Sequence, residues 1–335
     1  MATEDFSGLG SSPALYPMAL DMGRRAILFV GMTEADYRAT SFLDERIVAS
    51  SRQGRWLPVG DAARMLAARA EPRPLHFIFH IGHVGSTLLS RLLEATGKVL
   101  ALREPVPLRA LAEGWDDRAA GFEECLETML RLWERGYRTT EAVVLKATSA
   151  TERLAPAILR ARPQARAVLL NVGAESYLAT MLAGDNSALE LNALGPERLA
   201  RLKALLNAPI PRPESLGELA AMSWLSERLT QQNIATAFGA RVLQVDFDLM
   251  LEALADTLAR VLAHFGLSTA REDVAAILSG ETMRRYSKAP DHPFGPALRR
   301  QTQDEARRLF PREIDAALRR IEDLGRKYPA VHAVL

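Results

Sequence analysis

The order of apolar and polar positions predicts short strands that alternate with amphipathic helices from Leu75 onward. Five apolar runs are short and rich in leucine or β-branched residues, as buried strands are. They are LHFIFHI from Leu75, KVLALR from Lys98, AVVLK from Ala142, ARAVLLN from Ala165 and RVLQVDF from Arg241. Strands of this kind separated by helices predict a doubly wound α/β fold. Its sheet is expected to be mainly parallel, with about five strands and helices on both faces.

The flanking regions have their own patterns. RRAILFVGM from Arg24 predicts a strand, Thr33 followed by Glu34 and Asp36 predicts a helix start, and DAARMLAARA predicts a short helix. The two prolines in residues 71–74 mark a boundary. We therefore expect an N-terminal α/β appendage over 1–70, a core over 71–280, and a basic loop with a C-terminal helix packing on the core over 281–335.

The segment from Phe77 to Leu89, FIFHIGHVGSTLL, reads as a strand, a glycine-containing loop and a helix start. Gly82 and Gly85 allow backbone amides to approach an anion, and Ser86 and Thr87 place hydroxyls at a helix N-terminus. The nucleoside-triphosphate pattern with its lysine is not met, and His83 lies inside the loop instead. The pattern predicts an anion-binding loop; the alternative is a tight turn with a serine cap.

Three other polar positions follow predicted strands, at the edge where ligands bind in such sheets. Glu104 in LREP is a candidate general base, expected beside the first strand's loop, or else a solvated glutamate or a partner of Arg103. Lys146 closes a buried strand, where it either meets an anion or extends to the sheet edge. Asp246, followed by Asp248, is typical of an acid that helps to hold magnesium in a phosphotransferase.

Composition narrows the function classes. The chain has 335 residues, 42 basic and 41 acidic, with a net charge of +1, which argues against nucleic-acid and membrane-surface partners. The single cysteine, Cys125, excludes an intrachain disulfide and suits a reducing interior. With no secretory signal and no apolar run near the ~20 residues of a membrane helix, we expect a cytoplasmic protein. The richness in Ala, Leu and Arg is typical of bacterial chains.

Three histidines, His76, His80 and His83, raise the question of a metal site. The motif contains no carboxylate or cysteine beside them, and strand alternation aims His76 and His80 alike but leaves His83 in the loop. We therefore expect no metal.

Taken in order, these motifs resemble the sulfotransferases that use 3′-phosphoadenosine 5′-phosphosulfate. HIGHVGSTLLSRLLE is similar to their 5′-phosphosulfate loop, and LREP to the segment that carries a glutamate base in many bacterial and Golgi-type members. VVLKATSATERLAPAILRARPQARAVLLN and LQVDFDLMLEALADTLARVLAHFGL resemble two later stretches of the family. The resemblance runs from Leu75 to Leu267 and implies a P-loop-type fold, with this chain a divergent bacterial-type member.

The resemblance also implies roles for individual residues. Glu104 would be the base, and Lys146 and His83 would stabilise charge on the transferring group and the leaving phosphate. The 5′-phosphosulfate would lie on Gly82, His83, Val84, Gly85, Ser86 and Thr87.

The chain departs from the family at several of these positions. His83 stands where relatives carry arginine or lysine, and Asn171 stands near an arginine position. Ser176 or Thr180 stands near the serine that binds the 3′-phosphate. A late basic segment would close over the nucleotide, unless it is a solvated helix end. Its residues are Arg284, Arg285, Tyr286, Ser287 and Lys288.

The sequence therefore predicts a sulfotransferase-like enzyme acting on a hydroxyl or amine of a small molecule. The helical region from Leu178 to Leu219 and the N-terminal segment are expected to build the acceptor pocket. Two alternatives stay open: a magnesium-dependent phosphotransferase or nucleotide hydrolase using Asp246 and Asp248, and a non-catalytic descendant that binds a nucleotide or a partner. The oligomeric state is left open, a homodimer included.

Overall fold

The computed structural model describes residues 6–47, 54–67, 71–280 and 296–335. The predicted basic cluster at 284–288 lies outside these ranges. The strands are β1 (Leu15–Asp21), β2 (Ala26–Gly31), β3 (Arg55–Pro58), β4 (Leu75–His80), β5 (Val99–Arg103), β6 (Ala142–Lys146), β7 (Ala167–Asn171) and β8 (Val242–Asp246).

Helices connect and cover the strands. They are α1 (Glu34–Ala39), α2 (Val59–Ala67), α3 (Ser86–Glu94), α4 (Pro107–Asp116), α5 (Phe122–Trp133), α6 (Ala155–Ala161), α7 (Ala174–Leu182), α8 (Asp185–Leu206), α9 (Leu216–Phe238), α10 (Phe247–Glu252), α11 (Leu254–His264), α12 (Arg271–Ser279), α13 (Pro296–Leu309), α14 (Pro311–Lys327) and α15 (Pro329–His332). Within the described ranges, none of these helices has the combination of length and apolar content that crossing a bilayer requires.

The core is a parallel sheet with the strand order β5-β6-β4-β7-β8. All five predicted strands are present, and the doubly wound α/β fold is confirmed. The strand that precedes Glu104, β5, is not a direct neighbour of β4. β6 lies between them and pairs with both β5 and β4.

Apolar cores cover both faces of this sheet. Along β4, Phe77 and Phe79 belong to one core and Ile78 to the other, because successive side chains of a strand point to opposite faces. Every residue of β4, β5, β6 and β7 is buried. Continuous apolar runs in the sequence reflect this two-sided burial, and polar groups therefore collect at the strand ends.

The N-terminal region forms a second, antiparallel sheet, in the order β1-β2-β3. The strand and the two helices predicted there are present, and Thr33 forms a reciprocal cap with Asp36 at the start of α1. Two strands were not predicted. β1 contains Pro17 and has an irregular register beside it, and β3 is only 4 residues long. The side chains of this sheet share one apolar core with β4 and α5.

Arg135 ties the N-terminal region to the core. Its guanidinium donates to the carbonyls of Leu9, Ser12 and Leu15 at 2.8–3.0 Å. Burial lowers the pKa of Arg135 to about 10, so the guanidinium stays charged at neutral pH. The proposed division of the chain into three parts stays a prediction.

Buried ion pairs join the inserted helices. Arg198 and Arg201 of α8 both bond to Glu227 of α9, at 2.8 and 2.9 Å, and neither Arg198 nor Glu227 has any exposed side-chain surface. Because breaking a buried pair leaves an uncompensated charge, at a cost of roughly 3–5 kcal/mol, α8 has a fixed position against α9.

His76 on β4 makes the stability of the fold depend on pH in the acidic range. Its Nδ1 accepts from the backbone N–H of Arg166 at 3.2 Å, and its ring stacks on Phe265 with centroids 4.9 Å apart. Burial, aided by the charges of Arg166 and His264, lowers the pKa of His76 from 6.5 to about 4. Between these two values the unfolded chain binds a proton here that the native state does not.

We therefore expect the contribution of His76 to stability to be present above pH 6.5 and lost as the pH falls toward 4. The loss reaches roughly 3 kcal/mol, at 1.36 kcal/mol per pKa unit. Urea unfolding of His76→Asn should show a shallower fall in the free energy of unfolding over this range. The exposed His332→Asn is the control and should match the wild type; parallel curves for His76→Asn and wild type would contradict the prediction.

Candidate active site

The loop between β4 and α3 has a backbone that only certain residues adopt easily. Gly82, His83 and Gly85 have φ of +92°, +55° and +68°, in the left-handed region. A Cβ on Gly85 would overlap the ring of Phe247, so a side chain at this position would displace Phe247 or the loop. The loop is also tied to β4, since the N–H of Gly82 donates to Nδ1 of His80 at 3.1 Å.

The residues present in this loop fit a bound phosphate or sulfate. The free N–H groups at the start of α3 favour an anion. Ser86 and Thr87 are buried there, and among the described residues the hydroxyl of Thr87 has no hydrogen-bond partner. A buried hydroxyl without a partner is costly, and an anion at the loop would satisfy it.

Glu104 and Lys146 form an ion pair at the carboxyl edge of the sheet. Lys146 ends β6 and donates from Nζ to Oε1 of Glu104, and the N–H of Glu104 donates to the carbonyl of Lys146 at 2.7 Å. The Lys146 side chain is 1% exposed, so it does not extend into solvent. Arg103, the alternative partner of Glu104, bonds to Glu94 instead.

The backbone of Glu104 is also strained, with a φ of +54°. A non-glycine residue in this region costs of order 1–3 kcal/mol, and such residues concentrate at functional sites. The strain places a carboxylate at the sheet edge, beside a buried ammonium.

Two cavities lie at this edge. The first, which we name the loop cavity, has a volume of about 210 Å³ and is lined by His80, residues 83–87, Glu104, Lys146, Thr180, Phe247 and the start of α13. The second, the wide cavity, has a volume of about 750 Å³ and lies between Phe42, residues 148–151, Arg153 and faces of α4 and α8. His80, His83 and Glu104 line both cavities. These three side chains therefore form the boundary between the loop cavity and the wide cavity.

Glu190 of α8 is a site residue that the sequence analysis missed. Its Oε2 lies 3.1 Å from Nε2 of His83, and its Oε1 is the heavy atom nearest to a Cβ built on Gly82, at 3.4 Å. The two residues are 107 positions apart in the sequence. Nothing local in the sequence distinguishes Glu190 from the other acids of the insertion.

Further side chains at the loop cavity come from α13 and α7. Arg299 donates to Oδ1 of Asp248 at 3.1 Å and lies 4.5 Å from the centroid of the Phe247 ring. Thr180 Oγ1 lies 3.5 Å from Arg299 Nη1 and 3.3 Å from Gln303 Nε2. No sequence motif marks Arg299 or Gln303, so neither residue was predicted.

Ser176, the predicted 3′-phosphate ligand, lies one helical turn before Thr180. Its carbonyl accepts from the Thr180 hydroxyl at 2.8 Å, and its side chain does not line the loop cavity. Of the two residues considered for the 3′-phosphate, Thr180 lines the loop cavity and Ser176 does not.

The two acids considered for magnesium have protein partners. Asp246 Oδ1 caps α10 by accepting from the N–H groups of Asp248 and Leu249, at 2.9 and 3.0 Å. Asp248 pairs with Arg299. Among the residues the structure describes, no group of three or more His, Cys, Asp or Glu side chains is arranged to hold a metal ion. These contacts favour a structural role for both acids.

Comparison with known proteins finds similarity at the level of structure. No protein-family model matches the chain, and no curated protein matches it. Several of the similar solved structures are sulfotransferases. One from Mycobacterium avium has 11% identity and a TM-score of 0.43, covering 75% of this chain and 80% of its own.

A sulfotransferase from Alicyclobacillus acidocaldarius has 15% identity and a TM-score of 0.39, covering 76% of this chain and 96% of its own. A mouse sulfotransferase in complex with PAP has 13% identity and a TM-score of 0.37, covering 76% and 89%. At these identities and TM-scores the similarity does not assign a reaction or a ligand to this chain.

The glycine at position 85 gives a direct test of the anion-binding loop. We expect Gly85→Ala to abolish the binding of inorganic pyrophosphate, because the new Cβ would displace Phe247 or the loop. Binding would be followed as the ligand-dependent rise in melting temperature.

Gly97→Ala is the matched control. Gly97 also has a positive φ, +73°, but a Cβ there meets nothing within 4 Å. Both variants pay the cost of a left-handed backbone, roughly 1–3 kcal/mol, and only Gly85→Ala should lose the ligand effect. Equal pyrophosphate stabilisation of the two variants would contradict an anion site at this loop.

Proposed function

We propose that the chain is a sulfotransferase that transfers a sulfuryl group from 3′-phosphoadenosine 5′-phosphosulfate to a hydroxyl or amine of a small molecule. The observation that carries the proposal is the position of Glu104. This carboxylate lines both cavities, between an anion-binding loop on one side and a larger cavity on the other. A base in that position can take a proton from an acceptor in the wide cavity while the donor lies in the loop cavity.

The donor side is rich in groups that bind anions. The loop residues 83–87 offer backbone and hydroxyl donors, and Lys146 and Arg299 add cations at the same cavity. Arg299, Thr180 and Gln303 offer further polar groups at this cavity.

The chemistry follows from these placements. The bound donor supplies an activated sulfuryl group on a phosphate leaving group. Glu104 accepts the proton of the acceptor as its oxygen or nitrogen forms a bond to sulfur. The bond between sulfur and the bridging oxygen breaks, and its electron pair leaves with 3′,5′-adenosine bisphosphate. Lys146 and His83 donate hydrogen bonds to the charge that develops, so catalysis is mostly positioning and electrostatics.

The acceptor side has room for a molecule well beyond the size of a simple alcohol. A volume of about 750 Å³ falls within the range of roughly 300–1,000 Å³ typical of small-molecule sites. Phe42 from the N-terminal region and residues of α8 line it. This supports the expectation that both segments build the acceptor pocket.

A non-catalytic, ligand-binding descendant is the second candidate. The observations that favour it are the histidine at position 83 and the asparagine at position 171, which replace two basic residues of the family pattern. A binding protein would keep the loop cavity and need no base. The two candidate functions therefore differ in whether the chain needs Glu104 as a base.

Calorimetric titration with 3′,5′-adenosine bisphosphate tests the donor site. We expect binding that is the same in magnesium and in EDTA, because the cations of the site belong to the protein. Arg299→Ala should weaken binding by roughly 10- to 100-fold, the equivalent of losing a charge-assisted hydrogen bond of about 1.5–3 kcal/mol. The exposed neighbour Arg300→Ala is the control; no binding by the wild type at high micromolar concentration would overturn the proposal.

Replacement of the base tests the reaction. We expect Glu104→Gln to lower transfer of sulfuryl from labelled donor to a panel of alcohols and amines by about 10²–10⁴-fold, the usual contribution of a general base. Affinity for 3′,5′-adenosine bisphosphate should stay within about threefold, since glutamine keeps the shape of the side chain. A Glu104→Gln enzyme with wild-type activity would exclude Glu104 as the base.

A further inference from the structure

An aromatic ring from the N-terminal region lies beside the pair formed by Lys146 and Glu104. It belongs to Phe42, in the connection between α1 and the single helical turn Glu45–Ile47. Nζ of Lys146 lies over the face of this ring, 5.6 Å from its centroid, and the guanidinium carbon of Arg46 lies 4.1 Å from the same centroid. A cation this close to an aromatic face is attracted by the quadrupole of the ring.

The ring lies on the acceptor side of the ammonium. Phe42 lines the wide cavity, whereas Lys146 lines the loop cavity and not the wide one. Glu104, the partner of Lys146, lines both cavities. The Lys146 side chain is 1% exposed and that of Glu104 is 17% exposed. The ammonium is therefore shielded, while the carboxylate keeps access to both cavities.

Arg103 fixes the backbone on both sides of this ring. Its Nη1 donates to the carbonyls of Tyr37 and Thr40 at 3.0 and 2.9 Å, and its own carbonyl accepts from the N–H of Leu43 at 2.7 Å. Arg103 is buried and directly precedes Glu104 in the chain. One residue at the end of β5 therefore holds the N-terminal connection and is bonded covalently to the candidate base.

Two further contacts hold the neighbours of Phe42. The hydroxyl of Tyr16 on β1 donates to the carbonyl of Leu43 at 3.1 Å, and Nη2 of Arg91 on α3 donates to the hydroxyl of Ser41 at 2.8 Å. Leu43 is buried in the core that the N-terminal sheet shares with β4 and α5. Because other elements hold the residues before and after the ring, its position is set before a ligand binds.

A second cation reinforces this arrangement. Arg46 donates from Nε to both oxygens of Asp44, at 2.8 and 3.0 Å. Hydrogen bonding to Asp44 raises the pKa of Arg46 and the charge of Glu104 contributes in the same direction, although burial opposes them. Arg46 therefore stays charged against the Phe42 ring and lies within electrostatic reach of the Glu104 carboxylate.

We infer that Phe42 is a positioning residue: its ring holds the Lys146 ammonium in place and separates the pair of Lys146 and Glu104 from water in the wide cavity. The effect on rate rests on the proposed function. Opposite charges attract more strongly where water is excluded, so the shielded pair keeps Glu104 in one orientation toward the acceptor. The N-terminal region thereby contributes to the catalytic centre.

Amine labelling of the full-length protein tests the contact independently of activity. Trace reductive methylation, followed by mass spectrometry, should modify Lys146 of the wild type far more slowly than Lys98, whose side chain is 35% exposed. In Phe42→Ala the rate at Lys146 should rise by roughly tenfold relative to Lys98, as expected for the loss of a desolvated contact between a cation and a ring. An unchanged rate at Lys146 would overturn the inference.

Phe238→Ala is the matched control. The Phe238 ring lies 5.5 Å from the guanidinium of Arg241, which precedes β8 at the amino edge of the sheet, away from the site. This variant loses a contact of the same kind and should leave the rate at Lys146 unchanged. An equal rise in both variants would mean general loosening of the fold and would count against the inference. Phe42→Leu and Phe238→Leu replace the two variants if Phe42→Ala does not fold.

Kinetic measurements separate positioning from a role as part of the pocket wall. Phe42→Leu keeps the apolar bulk without the ring and should lower kcat by roughly tenfold, whereas Phe42→Tyr keeps the ring face and should stay within about threefold of the wild type. Phe238→Leu should leave kcat unchanged. A rise in the KM for the acceptor with kcat unchanged would mean that Phe42 only lines the pocket, and the inference would be wrong.

Failure of the inference and failure of the proposed function give different results. A wild-type enzyme that transfers sulfuryl, with the same kcat in Phe42→Leu, would keep the function and remove Phe42 as a positioning residue. A wild-type chain that transfers no sulfuryl would overturn the proposed function and the effect of Phe42 on rate with it. The labelling would still report whether the ring shields Lys146.

Discussion

Burial of the parallel sheet on both faces is the constraint on which the rest of the structure depends. Strands β4 to β7 have no exposed residue, so a polar side chain on them either pairs inside the protein or lies at a strand end. The carboxyl ends of β4, β5 and β6 therefore carry the loop, Glu104 and Lys146 to one edge. The boundary between the loop cavity and the wide cavity is a consequence of that arrangement.

Buried ion pairs make this edge of the sheet rigid. Lys146 is held by Glu104, and Arg198 by Glu227. Removing each pair from water is costly, and the attraction between its charges offsets that cost only when the geometry is fixed. Burial alone would raise the pKa of Glu227, but Arg201 and Arg198 outweigh it and lower the pKa. A site built on such pairs has its charges in place before a ligand arrives, which is what electrostatic catalysis requires.

Much of the core could be predicted because its signals are local. The five strands follow from apolar runs, the loop from the spacing of Gly82 and Gly85, and the candidate base and lysine from their positions after strands. The order of the strands in the sheet could not be predicted in this way, because it depends on the path of the long connections between them. β1 and β3 were missed, since a proline and a length of 4 residues remove the usual strand pattern.

The sequence by itself determined that a glycine-containing loop, a carboxylate and a lysine would meet at one edge of an α/β sheet, because each of them lies next to a strand that apolar composition reveals. Only the tertiary structure decided which groups surround the loop histidine and the loop cavity. Glu190 is 107 residues from His83, and Arg299 is 119 residues from Thr180. Contacts at such separations arise from the packing of α8 and α13 against the sheet edge, which no local pattern of residues encodes.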